Sequence, residues 1–256
     1  MIGIKRWLIS AMILVALTGC NIITYEHEET FTLDGEGVTT LNINHDEGDV
    51  TVKGVEGIDQ ITVTAIFAAW SDDSVEHAQT FSEENLSVEL FSENEEAFLK
   101  TAVNRRDKPE QGFIHLQIEV PSHVAIEYRQ NEGQLQIESM RSDLNIQHGT
   151  NQLVLKDIQG NIQIIDGAGN VSLEGVSGEI VINNNAGATK VTNSIGVASI
   201  IAGSGQVEIN EHEGDVTVRS GQGNIDINDV NGDVTILESR DGMVTIENVS
   251  GKVNQP

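Results

Sequence analysis

The sequence predicts an all-β fold, a single-stranded β-helix or solenoid with coils of about eighteen residues, and three observations carry that expectation. A nine-residue unit recurs about thirteen times between Gly133 and Gly251. Its fifth place is Ile, Leu or Val every time, from Ile137 to Ile246, and its third place is apolar except at Thr189 and Ala198. Its eighth place alternates between an apolar residue (Met140, Ile158, Val176, Val230, Val249) and glycine (Gly149, Gly167, Gly203, Gly221). The true period is therefore eighteen: two strands of about nine residues joined by two different corners.

Each unit opens on a glycine or a small polar residue, as at Gly133, Ser142, Asn151, Gly160 and Gly169. Places two, four and six are mostly polar, so each unit reads as a short strand with one buried face. Glycine at the unit boundaries supplies corners, where the backbone turns sharply or approaches another segment closely. No unit can bury its apolar side alone, but stacked units can. About six and a half coils at roughly 4.8 Å each make a rod on the order of 30 Å long. A β-sandwich of regular hairpins is the alternative, although it does not need so strict a count.

At the N-terminus, Lys5 and Arg6 precede an apolar run from Trp7 to Leu17 that is too short to span a bilayer. The run ends in Leu17-Thr18-Gly19-Cys20, which resembles the bacterial lipoprotein signal. The resemblance implies removal of residues 1–19 and lipidation of Cys20, with two or more acyl chains making the anchor stable. Residues 20–30 then read as a short lipid-anchored tether that keeps the folded part near the membrane. Asn21 after the cysteine implies the outer membrane if the host is Gram-negative.

Residues 31–130 read as a β-rich N-terminal part that caps the stack, and residues 131–256 as the repeat part of the same domain. Strands are expected at 31–33, 38–44, 50–53, 61–69, 86–91, 97–103, 113–120 and 124–128. The run Gly48-Asp-Val-Thr-Val-Lys-Gly-Val-Glu-Gly57 is itself one repeat unit, placed ahead of the interruption. One short helix is expected over roughly residues 73–83, where Ser71-Asp72-Asp73 precede Val75, Ala78 and Phe81 on one face. Asn104 to Gln111 reads as a charged loop. A cap at one end suits a solenoid, because a bare terminal coil is an open sheet edge.

Formal net charge is −26, from 14 Lys and Arg against 40 Asp and Glu, and the expected loss of Lys5 and Arg6 makes the rest still more acidic. That argues against nucleic acid or anionic lipid as an electrostatic partner and fits solubility, divalent cations or cationic partners. Aromatic residues are 4% of the chain, which offers little for stacking on sugars. Cys20 is the only cysteine, so disulfides, thiol catalysis and cysteine metal sites are excluded.

Ile118-Glu-Val-Pro121, Val124-Ala-Ile126 and serial units such as Gly214-Asp-Val-Thr-Val218 and Gly232-Asp-Val-Thr-Ile236 resemble the bacterial putative-adhesin family of unknown function, over roughly residues 31–251. The resemblance implies a right-handed β-helix-like domain in an envelope or surface protein and brings no catalytic motif. This chain departs from the pattern at Gly187–Gly196, where Ile195 is shifted by one place, and in its charged N-terminal loops.

The nonapeptide of calcium-binding toxins does not fit, because the repeats lack its paired glycines and its Asp at place six. The eighteen-residue period does stack like charges: Glu208 with Asp226, Glu211 with Asp229, and Asp215 with Asp233. Glu208, Glu211, Asp226 and Asp229 are thus a candidate Ca²⁺ patch, with a solvated acidic face as the alternative and Lys190 as a neutralising neighbour one coil earlier. The stacked pairs also have the spacing of a retaining glycosidase, about 5 Å, but repetition supplies that spacing without catalysis. Glu26-His27-Glu28 and Glu211-His212-Glu213 place histidine and carboxylates on opposite strand faces, which leaves no zinc site. No triad spacing, P-loop or dinucleotide fingerprint is present.

The expectation is a non-enzymatic, lipid-anchored envelope protein without a cofactor. It would present a rigid solenoid face to an extracellular or periplasmic glycan or protein. A structural or envelope-stress component binding a membrane protein is the first alternative, and a β-helix enzyme acting on polysaccharide is the second.

Overall fold

A computed structural model describes residues 7–8, 23–105 and 111–256. It shows two long β-sheets face to face, wound by about seven turns of eighteen residues between residues 125 and 249. Strands Ala125–Glu132, Leu144–Thr150, Ile162–Ala168, Ile180–Asn184, Ala198–Ala202, Val216–Ser220 and Val234–Ser239 form one face. Leu135–Met140, Leu153–Gln159, Val171–Ser177, Thr189–Ile195, Val207–Glu213, Ile225–Asn231 and Val244–Val249 form the other. All pair in parallel at an offset of eighteen, as in Leu144 with Ile162 and Ile209 with Ile227. The offset becomes nineteen at the last coil, where Ile225 meets Val244, and a bulge beside Val218 absorbs the extra residue.

The core consists of the third and fifth places stacked into ladders. Ile146, Ile164, Ile182, Ile200, Val218 and Ile236 run up one sheet, and Ile137, Leu155, Leu173, Val191, Ile209 and Ile227 run up the other, all buried. Each such side chain contributes about 1.5–3 kcal/mol by leaving water, and the β-branched bias of these places follows from their packing on a pleated strand.

The eighth-place alternation has a backbone cause. In units of the second sheet the seventh place has positive φ: Ser139, Asp157, Gly175, Asn193, Glu211, Asp229 and Asn248 lie between 50° and 68°. That left-handed residue acts as a bulge and turns the eighth place inward, burying Met140, Ile158, Val176 and Val230. In the first sheet the strand keeps its alternation, the seventh place faces inward, and glycine follows at the corner.

Both corners combine close backbone approach at the unit head with a recurring Asx residue in the second place. A Cβ on Gly205 would overlap the carbonyl oxygen of Gly187 one coil earlier, and the same holds along this column. The Asx side chain then accepts from the backbone of the next coil. Asp143 Oδ1 takes Asn161 N–H at 2.7 Å, and Asp215 Oδ1 takes Asp233 N–H at 2.9 Å. At the opposite corner Asn170 Oδ1 takes Ala188 N–H at 2.9 Å.

The N-terminal part joins the same sheets in a different order. Glu96–Val103 with Gln111–Pro121 forms the first layer, Thr40–Glu47 with Val50–Val55 the second, and Ala125–Glu132 with Leu135–Met140 the third. The early repeat unit at Gly48 is therefore a working coil, inserted between two segments that follow it in the chain. Beyond the first layer the sheets turn antiparallel: Gln60–Ser71 pairs with Gln111–Pro121 and with Ile23–Asp34, and Leu86–Glu93 forms a hairpin with Glu96–Val103.

Residues 23–30, expected as tether, are strand instead. Their alternation is real, with Tyr25 and His27 turned towards the helix and Glu26 and Glu28 outward, but its inward members are polar and the charge count masks it. Of the expected leader, Trp7–Leu8 is described as two residues paired with Thr30 and Glu29. Cys20 lies outside the described residues, as do residues 106–110 of the charged loop.

The helix spans Val75–Asn85 and starts two residues later than expected, because Ser74 is the cap: its Oγ accepts His77 N–H at 3.2 Å. Ala78, Phe81, Ser82 and Asn85 form its buried face and close the end of the stack. Among the described residues no helix is long and apolar enough to cross a membrane.

Gly205→Ala is expected to destabilise the protein by about 3 kcal/mol, since the clash is with backbone that cannot yield without opening a coil. Urea unfolding of the variant against the parent measures this, and an unchanged midpoint would contradict the corner geometry.

Candidate functional site

A column of polar side chains runs inside the first corner, at the inward seventh place. His45, Gln130, His148, Asp166, Asn184 and Ser220 stack on one another and are buried, with Ala202 interrupting. The corners turn their carbonyls inward, and this column satisfies them. His148 Nε2 lies 2.8 Å from Gly133 O, Asn184 Nδ2 donates to Gly169 O at 3.1 Å, and Ser220 Oγ to Gly223 O at 3.0 Å. His148 Nδ1 and Asp166 Oδ1 are 2.6 Å apart, both side chains fully inaccessible. The sequence carries a signal for this column, since alternate units hold small or polar residues at place seven, but the outward acids are the more conspicuous feature. Enclosed as it is, the column is structural.

Burial pushes the His45 imidazole down to about 4, against smaller upward effects of Gly48 O, Asp46 and Asp49. His212, which meets Ser194 Oγ at 2.7 Å inside the opposite corner, is also held down by burial.

The expected acidic patch is split between two settings. Glu208 and Asp226 are register partners on the outer face of the second sheet. Lys190 Nζ holds Glu208 Oε1 at 2.7 Å, and Gln206 Nε2 donates to Asp226 Oδ2 at 2.7 Å. Glu211 and Asp229 occupy the left-handed bulge, a position that favours Asp, Asn and Gly for backbone reasons. Asp229 Oδ2 accepts from Asn228 Nδ2 at 2.8 Å. Among the described residues no three His, Cys, Asp or Glu side chains form a group that could hold a metal ion. Asp215 and Asp233, also stacked, spend Oδ1 on backbone N–H groups. His27 stacks on Phe67 at 4.6 Å, opposite in direction to Glu26 and Glu28.

The outward places four and six of the first sheet make a different surface at its N-terminal end. Lys100, Asn44, Arg129 and Gln147 lie in one row across four adjacent strands, and Phe98, Asn42, Glu127 and Asn145 lie in the next. These side chains line a shallow depression of about 210 Å³. Phe91 stacks on Phe98 at 5.2 Å, and Lys100 Nζ lies 5.2 Å from the Phe91 ring centre. Arg129 Nε donates to Gln147 Oε1 at 3.1 Å, and Asn145 Nδ2 to Glu127 Oε2 at 2.8 Å.

Charge pairing sets this surface apart. Among the described residues every other Lys and Arg except Lys252 has a carboxylate within 4.0 Å, whereas Lys100 and Arg129 have none. These two cations, on strands next but one to each other, stand about 10 Å apart among carboxamides, an aromatic pair and the carboxylates of Glu127 and of Glu89, the register partner of Lys100. Such a surface can hold an extended, hydroxyl-rich chain bearing acidic groups. No sequence pattern marks it, because its residues come from positions 42 to 147 and the register that aligns them is set by the inserted coil.

A family model described as Toastrack DUF4097 matches residues 38–256. A solved structure of a putative cell adhesion protein from Clostridium sporogenes is 12% identical with a TM-score of 0.31, over 90% of this chain and 98% of that one. A putative adhesin from Bacteroides fragilis is 13% identical with a TM-score of 0.32, over 90% of this chain and 97% of that one. No curated protein matches the chain.

Two outcomes follow from this geometry. Unfolded histidine binds a proton near pH 6.5 and folded His45 only near 4, so stability is complete above about 6.5 and falls as the pH drops through that window, by about 3 kcal/mol from this group. Unfolding free energies from pH 7 to 4 should show a shallower fall in His45→Gln than in the parent. Calcium at millimolar concentration is expected to leave the unfolding temperature unchanged; a clear rise, lost in Asp226→Asn, would establish the acidic patch as a cation site.

Proposed function

The chain belongs to the Toastrack DUF4097 family, and from that premise we propose that it is a non-enzymatic, adhesin-like lipoprotein of the cell envelope. In this reading Cys20 carries the anchor and the solenoid presents a rigid outer face to an extended acidic glycan. The observation that carries the reading is the pair of unpaired cations, Lys100 and Arg129, in the depression beside Phe98. A protein with formal charge −26 that leaves these two cations free in one place has a surface suited to anionic groups.

Parallel strands fix the side chains of that face, so little conformational entropy is lost when a linear polymer lies across them. Carboxamides of Asn42, Asn44, Asn145 and Gln147 supply donors and acceptors for hydroxyl groups, while the cations supply the charge-assisted bonds. The stacked acids Glu208 and Asp226 speak against hydrolysis: both are tied up by Lys190 and Gln206 on an open sheet face.

Titrating the soluble chain from Asn21 onward with uronate-bearing and neutral polysaccharides tests the reading. Lys100→Ala and Arg129→Ala are each expected to weaken binding to the acidic polymer at least about tenfold, the equivalent of one charge-assisted hydrogen bond. Lys252→Ala should leave it unchanged. Equal binding of neutral and acidic polymers, or binding insensitive to both variants, would reject this face as the site.

A further inference from the structure

Three strands of the N-terminal part are about twice as long as those of the coils. Val50, Leu116, Ala65 and Glu29 lie in one row at the corner of the stack. Beyond that row the sheet continues through 111–115, 66–71 and 23–28, a wing of about five residues or roughly 16 Å. The helix covers its inner face through Ala78 and Phe81. Among the described residues no element packs on its outer face, and at the tip Trp70 packs against Phe113 with ring centres 5.5 Å apart, Thr24 and Gln111 flanking Trp70 as its register partners. Both rings are half-exposed.

Ile23, opposite Ser71 at this tip, stands three residues after Cys20. Three residues reach at most about 10 Å. A lipid held at Cys20 therefore brings the wing tip against the bilayer. Tryptophan beside an apolar ring is the side chain most at home in the interfacial layer, with its ring buried and its N–H wet.

We infer that the wing tip, formed by Ile23, Thr24, Trp70 and Phe113, rests in the headgroup layer of the membrane that holds the anchor. The inference depends on lipidation of Cys20. Asp72 and Asp73 follow directly on the tip and are exposed, Asp73 pairing with His77 at 2.8 Å, so the contact stops at headgroup depth. The strands then stand upright on the membrane and the solenoid axis lies along it, held off by the length of the wing. Both outer sheet faces, including the depression at Lys100 and Arg129, open sideways into the surrounding space. A second, interfacial contact also fixes the orientation, which acyl chains alone would leave free.

Trp70 is the only tryptophan after Cys20, so its fluorescence reports on this tip alone. The processed, lipidated chain is reconstituted into phosphatidylcholine vesicles with and without lipids brominated near the glycerol end of the acyl chains. The expected result is a blue shift of Trp70 emission on reconstitution and quenching by the brominated lipid. A control carrying Trp70→Phe and Thr245→Trp, with its reporter on the last coil, should stay unquenched. Vesicle-bound protein whose Trp70 is reached by aqueous iodide and not by brominated lipid would overturn the inference while leaving the anchor intact. Shielding of Trp70 from both quenchers would overturn it as well, since a protein surface would then cover the tip. A processed chain that carries no lipid and leaves the vesicles would overturn both the inference and the anchor.

Discussion

Adjacent coils of a parallel solenoid sit about 4.8 Å apart, and at each corner the backbone must turn within that spacing while another backbone passes beside it. A Cβ added to Gly205 would overlap the carbonyl of Gly187, and one added to Gly214 that of Gly196. Glycine at most unit heads therefore lets the coils stack this closely, with Ser142 and Asn151 the exceptions, and its recurrence marks where the chain turns. Where an Asx residue holds the second place, as at Asp143, Asn170 and Asp215, it ties one coil to the next through a backbone N–H, so register is enforced beside the close approach. The remaining features build on this contact. The apolar third and fifth places become ladders because the register repeats, and the inward carbonyls it creates are met by the buried column from His45 to Ser220.

The two corners solve the same problem differently. On one side a polar side chain at place seven points in and bonds the turning carbonyls. On the other a left-handed residue at place seven passes the inward role to an apolar residue at place eight. The irregular coil at Gly187–Gly196 shows what the alternation demands. Ser194 occupies the inward eighth place and is partnered by His212, while Ile195 is left on the surface at 52% exposure. A buried hydroxyl that finds a partner costs little, and the coil keeps its register.

The repeats made the fold legible, because each strand's inward face is written in the third and fifth places and each corner in its glycine. The putative-adhesin resemblance read from Gly214-Asp-Val-Thr-Val218 and its neighbours points to the family that residues 38–256 match. Where the chain lacks a period, local sequence says less. The insertion of 40–55 between 96–121 and 125–140 depends on long-range pairing that no window of sequence contains, and the strand at Ile23–Asp34 hides behind His27 and Glu29. The acids at 208, 211, 226 and 229 stand out for their charge, yet two of them sit where the backbone wants a left-handed residue and two are bonded to neighbours. The surface at Lys100 and Arg129 is silent in the sequence, since its meaning lies in which cations lack partners once the chain has folded.

If the corners set a period of eighteen, whole coils are interchangeable and half coils are not. Deleting residues 196–213 removes one coil and joins Ile195 to Gly214, which takes the place of Gly196. Deleting residues 196–204 alone would force a unit with a left-handed seventh place onto the sheet whose seventh place must turn inward. Cooperative unfolding of the two deletion variants, followed by circular dichroism, compares them directly. The eighteen-residue deletion should retain a single sharp transition at a modestly lower temperature, and the nine-residue deletion should lose it. Equal behaviour of the two, folded or unfolded, would contradict the two-corner account.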